Sequence, residues 1–286
     1  MTDTTLEQRI SALKPPMSHD EMAAATARNG WWYICEHWLR NMRAYIGSVF
    51  GVGVLHPVLF LLAMGVGLGM VVDGATDTET VLGMSYLTYI GPALLLSTAL
   101  STAMEENTFT VMSGFKWRRT YYGPQVTPIT PTQIASGHVA GTIIRYTLTI
   151  LIFLSVLFLF GAVEGARALL LVPLGVLTAA AVGLAIMAYS SHITEDRGQF
   201  ALINRFVIMP MTLFSGTFFP LESMPIFIQP LGWISPLWHA VSLGRALVTP
   251  ASIQLWLGVL HVAYLLALCL GGWLIARRHY NRRLVG

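Results

Sequence analysis

Residues 139–161 read VAGTIIRYTLTILIFLSVLFLFG, and the fold follows from how this stretch must be solvated. Arg145 is its one charged side chain. The run is long enough to cross about 30 Å of hydrocarbon at about 1.5 Å rise per residue. Lipid offers no partners to backbone N–H and C=O groups, so such a run crosses as a helix, which pairs them internally. Five more stretches meet the same test: 49–72, 86–104, 168–189, 200–219 and 253–276. Of the 286 residues, 55% are hydrophobic and 11% charged, against about 25% charged in an ordinary soluble domain. Too few polar residues remain to coat a water-facing exterior. The expected fold is all-α and integral to the membrane: a cytoplasmic amino-terminal segment, 1–29, and one transmembrane domain, 30–286, with six spans.

Orientation follows from the basic residues. The formal charge of +3 does not point to nucleic acid, because the Lys and Arg residues cluster between the apolar stretches. With the amino terminus inside, Arg9, Lys14, Arg28, Arg40, Arg43, Lys116, Arg118, Arg119, Arg197, Arg277, Arg278, Arg282 and Arg283 all fall on the cytoplasmic side, and only Arg167 and Arg245 fall outside. That is the positive-inside pattern. Residues 1–28 hold Asp3, Glu7, Arg9, Lys14, Asp20, Glu21 and Arg28 without an apolar run, so no cleavable leader is expected there. Both termini are expected in the cytoplasm, with the protein in the inner membrane. Cys35 and Cys269 form no metal or redox spacing and read as small apolar fillers.

Three connecting segments carry more than topology. In 31–46, Trp31, Cys35, Trp38, Met42 and Tyr45 recur at helical spacing while Glu36, Arg40 and Arg43 take the other side, predicting a helix along the membrane interface. Trp31, Trp38, Arg40 and Arg43 are its candidate functional residues. The longest cytoplasmic loop begins with Glu105 and Glu106, continues through an amphipathic stretch 108–115 and the cluster Phe115, Lys116, Trp117, Arg118 and Arg119, and ends with Pro124, Pro128 and Pro131. A loop this long with its own helix suggests a docking surface. Between the fifth and sixth spans, 215–247 is too apolar for a solvated loop, yet Pro220, Pro225, Pro230 and Pro236 forbid one continuous helix. Short helices entering and leaving the outer leaflet are expected, with Trp233 and Trp238 at the interface. Met209, Phe214, Ser215, Phe218, Phe219 and Pro220 are candidates for a substrate path or this re-entrant region.

Within the spans, an unpaired Arg145 is expensive. It lies about two turns from the cytoplasmic end of its helix and is expected to reach Glu105 or Glu106, with Arg205 and Asn204 read in the same way one span later. His56, His138 and His261 are scattered without ligand spacing, so no metal site is expected. No deep Asp or Glu suggests ion coupling, and no phosphate loop, nucleophile elbow or zinc-hydrolase motif is present. The chain is therefore expected not to be catalytic by itself. An ion-coupled secondary transporter and an integral membrane transferase are the alternatives.

Three blocks, MEENTFTVMSGFKWRRTYYGPQVTPITPTQIASGHVAG (104–141), SGTFFPLESMP (215–225) and PLWHAVSLGRAL (236–247), resemble the permeases of type-two ABC exporters. The likeness is to the branch containing nodulation-factor and daunorubicin-type drug exporters, and it covers about residues 30–280. The stretch 115–122, FKWRRTYY, departs from the shorter turn of many relatives. The resemblance implies two permease chains, identical or paralogous, with two separate nucleotide-binding ATPase subunits. Those subunits, not this chain, would bind ATP and Mg. The loop from Glu105 to Pro131 would carry a coupling helix seated on the ATPase. The first, second and fifth spans would line the path, and Pro57, Pro92 and Pro210 would ease their bending. The cargo would be an amphiphile such as a drug, lipid or lipid-linked glycan.

Overall fold

The computed structural model describes residues 18–47, 51, 55, 58–67, 70, 85–249 and 253–286. Part of the expected first span, 49–72, including His56 and Pro57, lies outside the described residues, as do residues 1–17. Of that span, Leu61–Gly67 forms a π-helical segment. Among the described residues every regular element is helical.

Among the described residues, four stretches are long and apolar enough to cross a membrane: Tyr86–Trp117, Pro131–Leu159, Ala166–His192 and Leu255–Val285. Each overlaps one of the expected segments. Helix α1 (His19–Ala44) precedes them. Next come α2 (Tyr86–Asn107) and the single turn α3 (Phe109–Met112), followed by a π-helical turn, Ser113–Trp117. Helices α4 (Pro131–Leu159) and α5 (Leu171–His192) follow. The expected fifth segment, 200–219, is instead a shorter broken helix, Gln199–Phe214. It consists of α6 (Gln199–Ile203), a π-helical turn Asn204–Ile208, and α7 (Met209–Phe214). Pro210 removes a backbone donor at the break. From Ser215 the chain runs through α8 (Gln229–Ile234) and α9 (Pro236–Val248) to α10 (Leu255–Val285). The prolines at 220, 225, 230 and 236 thus separate short helices.

Helix α2 is central. Its apolar stretch is 78% buried, against 22% for that of α10. It packs on α4, α5 and α9, while α10 lies along α5. Leu255, Val259, Leu260, Leu266, Leu270 and Leu274 on α10 stay exposed, as lipid-facing residues of a span do. Hydrocarbon tails are as apolar as leucine, so spans associate through close van der Waals packing, and glycine permits the closest approach. A Cβ at Gly272 of α10 would meet the Leu184 backbone carbon of α5 at 2.6 Å.

The same device docks α1. Its start is set by a capping box, with Ser18 and Glu21 each bonding the other's backbone. It then packs on α4. A Cβ on Gly137 would meet Ile34 Cβ at 2.5 Å, and one on Gly141 would meet the Trp38 ring at 2.8 Å. Gly137 and Gly141 form a GxxxG spacing on one face of α4. The helix begins well before residue 31. Of the predicted aromatic stripe, Cys35 is fully buried and Trp38 rests on Gly141, while Trp31 and Tyr45 stay exposed. Helix α4 starts at a second capping box, between Thr130 and Gln133. Gln133 Nε2 also donates to the Ala27 carbonyl of α1, so one side chain fixes a helix start and a helix neighbour.

Candidate functional site

At one end of the bundle the rod formed by α2 and α3 bends at Thr108, whose backbone leaves the helical region (φ −96°, ψ −88°). The Thr108 hydroxyl donates to the Met104 carbonyl, holding the bend. The chain then tightens into the π-helical turn, and the amides of Arg118 and Arg119 both donate to the Ser113 carbonyl. Arg119 adopts φ 52°, unusual for a side chain with a Cβ. The result is a turn with two faces.

Phe115 points inward at 2% exposure. Its ring meets Tyr121 edge-on at 4.9 Å and Tyr280 of α10 at 4.7 Å, and Arg283 lies 4.1 Å above it. The same guanidinium donates to the carbonyls of Ser191 (2.9 Å) and Ile193 (2.8 Å), satisfying orphan groups at the end of α5. Burial pushes the Tyr121 phenol well above its usual range, so it stays protonated, 3.1 Å from His138 Nδ1 of α4. Lys116, Trp117, Arg118 and Arg119 are exposed. Phe109 stacks on Trp117 at 6.2 Å and meets Phe200 edge-on at 5.2 Å. Of the proposed coupling residues, Phe115 therefore belongs to the support, and the four that follow form a basic aromatic ridge.

Behind the ridge, α1, α3 and α4 enclose an open cleft of about 840 Å³. Trp38, Tyr45, Phe109 and Trp117 contribute aromatic walls, and Glu106, Arg118, Arg145 and the imidazoles of His37 and His138 are among its ionisable lining. Arg145 Nε lies 3.5 Å from Glu106 Oε1, both side chains being largely covered. Glu105 is exposed, so the partner of Arg145 is Glu106. One residue on, Asn107 donates to Tyr146 at 2.6 Å, locking α2 to α4 beside the ion pair. Arg40 and Arg43 of α1 are exposed, and Arg40 pairs with Glu36 at 2.7 Å.

At the opposite end of α2 the chain from Ser215 is drawn against Tyr89. Arg245 of α9 donates to the carbonyls of Gly216 (2.6 Å), Thr217 (3.2 Å) and Tyr89 (3.3 Å), and its guanidinium sits 3.7 Å over the Tyr89 ring. The Ser215 and Ser235 hydroxyls lie 2.6 Å apart. Met209 and Phe219 are exposed, Phe214, Phe218 and Pro220 partly buried, and Ser215 fully buried. These candidate path residues do not converge on a common pocket. Nearby, His239 Nδ1 lies 2.6 Å from His261 Nδ1, and His239 Nε2 lies 3.0 Å from the Trp233 carbonyl. A carbonyl only accepts, so His239 Nε2 carries the proton and, in the neutral ring, its Nδ1 accepts from His261. Trp238 packs edge-on against both rings. Among the described residues no three His, Cys, Asp or Glu side chains converge as metal ligands.

Sequence reasoning missed the docking of α1 on Gly137 and Gly141, the support given by Tyr280 and Arg283, and the clamp made by Arg245. The GxxxG spacing was a legible signal for the first. For the other two, the partners lie far apart in sequence and nothing local marks them.

The sequence profile described as ABC-2 type transporter covers residues 34–248. The chain belongs to the ABC-2 type transporter family. Among its relatives, nodulation protein J of Rhizobium leguminosarum bv. viciae is 25% identical over 251 residues, covering 84% of this chain and 93% of the relative. Nodulation protein J of Rhizobium meliloti is 27% identical over 232 residues, 79% of this chain and 84% of the relative. The inner membrane transport permease YadH of Escherichia coli is 27% identical over 161 residues, 56% and 62% of the two chains. This ABC-2 chain is thus a multi-pass membrane protein, the permease component of an ABC transporter, and it works with an ATPase subunit.

Proposed function

We propose that the chain is the permease half of an ATP-driven exporter in the inner membrane, with six spans and both termini in the cytoplasm. Two permease chains, identical or paralogous, assemble with two ATPase subunits that bind ATP and Mg. The cargo is an amphiphile. The segment from Thr108 to Arg119 acts as the coupling helix and α1 as the interface helix beside it. The residues after Ser215 form the external re-entrant hairpins.

One observation supports this reading above the others: four exposed residues, Lys116 to Arg119, sit on a turn whose other face is anchored through Phe115 to Tyr280 and Arg283. A push delivered to the ridge reaches α10 and the end of α5 through packed rings, because close-packed interiors transmit displacement instead of absorbing it. Nucleotide bound by the partner would bias a two-state arrangement of the permeases, with no chemistry inside the membrane.

Replacing Lys116, Trp117, Arg118 and Arg119 together by alanine tests the contact. The ATPase should separate from the complex on purification, and cargo-stimulated ATP hydrolysis should be lost. A cysteine at position 117 that reacts only with reagent added outside the cell would refute the orientation, since no ATPase could reach it.

A further inference from the structure

The cleft behind the ridge contains more polar chemistry than the ion pair uses. His138, Gly141 and Arg145 lie on one face of α4, at i, i+3 and i+7, and Trp38 covers the middle position by resting on Gly141. His138 and Arg145 both line the cleft. Each keeps a buried nitrogen with no hydrogen-bond partner, His138 Nε2 and Arg145 Nη1. Leaving such groups unpaired is costly, and more so for a charged one. The backbones of the two residues are about 10 Å apart along the helix axis. Helical side chains lean toward the amino terminus, which brings the long Arg145 side chain back toward His138.

The lining favours an anion. Glu106 occupies one edge of the Arg145 guanidinium through Nε, leaving Nη1 unpartnered, and Arg118 adds a second positive group to the same cleft. The Tyr121 hydroxyl and His138 Nδ1 share a hydrogen bond at 3.1 Å, and in the tautomer where the hydroxyl donates, the neutral His138 ring carries its proton on Nε2 as another donor. Two guanidinium groups against one carboxylate, an added N–H donor, and aromatic walls are the recognition chemistry of a phosphate joined to an apolar body.

We propose that this cleft binds the phosphate-bearing head of an amphiphile, with Arg145 and His138 donating to the phosphate and the apolar portion lying along Trp38 and Phe109. This rests on the permease reading only in treating the ligand as cargo, since binding itself requires neither ATP hydrolysis nor transport.

The test uses the full complex in phosphatidylcholine nanodiscs without nucleotide. Equilibrium binding is measured for dodecyl phosphate, inorganic phosphate and uncharged dodecyl maltoside. Dodecyl phosphate should bind saturably and at least about tenfold more tightly than either of the others, one decade being about 1.4 kcal/mol. The pair Glu106→Gln/Arg145→Gln removes both charges while keeping shape, and it should weaken dodecyl phosphate about tenfold or more without affecting the maltoside. Thr110→Trp fills the cleft and leaves both donors in place, and it should abolish dodecyl phosphate binding. Undiminished binding in both variants would overturn the proposal. Inorganic phosphate binding as tightly as dodecyl phosphate would overturn the amphiphile and leave a free-anion site. Failure of Lys116→Ala/Arg119→Ala, two ridge residues outside the cleft lining, to uncouple the ATPase, with dodecyl phosphate binding intact, would refute the coupling reading alone.

Discussion

Two arginines sit at opposite ends of the same helical bundle, and the protein treats them differently. Arg245 is held through Nε and Nη2: three carbonyls accept from them and the Tyr89 ring lies beneath the guanidinium. Arg145 has a carboxylate at 3.5 Å and an idle Nη1. A guanidinium that bonds three backbone carbonyls and stacks on a ring holds a shape, and here it pins the chain after Ser215 onto α2. One with a donor in reserve, beside a large cleft, is arranged for something that comes and goes. Charge alone does not distinguish these roles; the inventory of partners does.

The comparison is broken most forcefully by Arg245→Leu. Three carbonyls lose a charged donor, so a destabilisation of about 3 kcal/mol is expected. That should appear as a drop of roughly 6–12 °C in the melting midpoint of the purified protein, with new protease sites in 216–235. Arg245→Lys should recover little, because an ammonium lacks the planar fork that spans the carbonyls while stacking on a ring.

Arg145→Gln is the smaller break. It strands a largely covered Glu106, and a loss of about 2 kcal/mol is expected. Adding Glu106→Gln should return most of it, since the double change removes the stranded charge. Midpoints of the two singles and the double form a cycle, and additive losses would mean that the ion pair has no energetic content. Tyr89→Leu sharpens the other side. It should cost about 1–2 kcal/mol by taking the ring from under Arg245, without altering ligand binding at the far cleft. Arg40→Ala serves as the baseline. Its pair with Glu36 is solvent-exposed, and such pairs contribute about 0.5 kcal/mol or less, so no measurable midpoint change is expected.

The stretches 86–104, 139–161, 168–189 and 253–276 were legible because hydrocarbon imposes one rule on every residue of a span, and that rule is written locally. The prolines after 219 were legible for the same reason, since a missing N–H breaks a helix wherever it occurs. Depth along a helix is nearly as local: counting turns put Arg145 level with Glu105 and Glu106, and the structure selects Glu106. Segment 200–219 was read too long, because hydropathy continues through Ser215 to Phe219 although the helix stops at Phe214. The Phe115, Tyr280 and Arg283 support was hidden from the sequence, because its members are more than 160 positions apart and each reads as an ordinary aromatic or topogenic charge. His261 looked like a stray until α9 and α10 laid it beside His239.

Gln133 has a consequence for how α1 communicates. Its side chain completes the first turn of α4 and, through the Ala27 carbonyl, grips α1. Sliding one helix along the other therefore forces a choice between the cross-link and the cap. A tug on α1 would loosen the opening turn of its neighbour, so the two behave as a latch with a shared pin, in which travel at one element is paid out as fraying at the other.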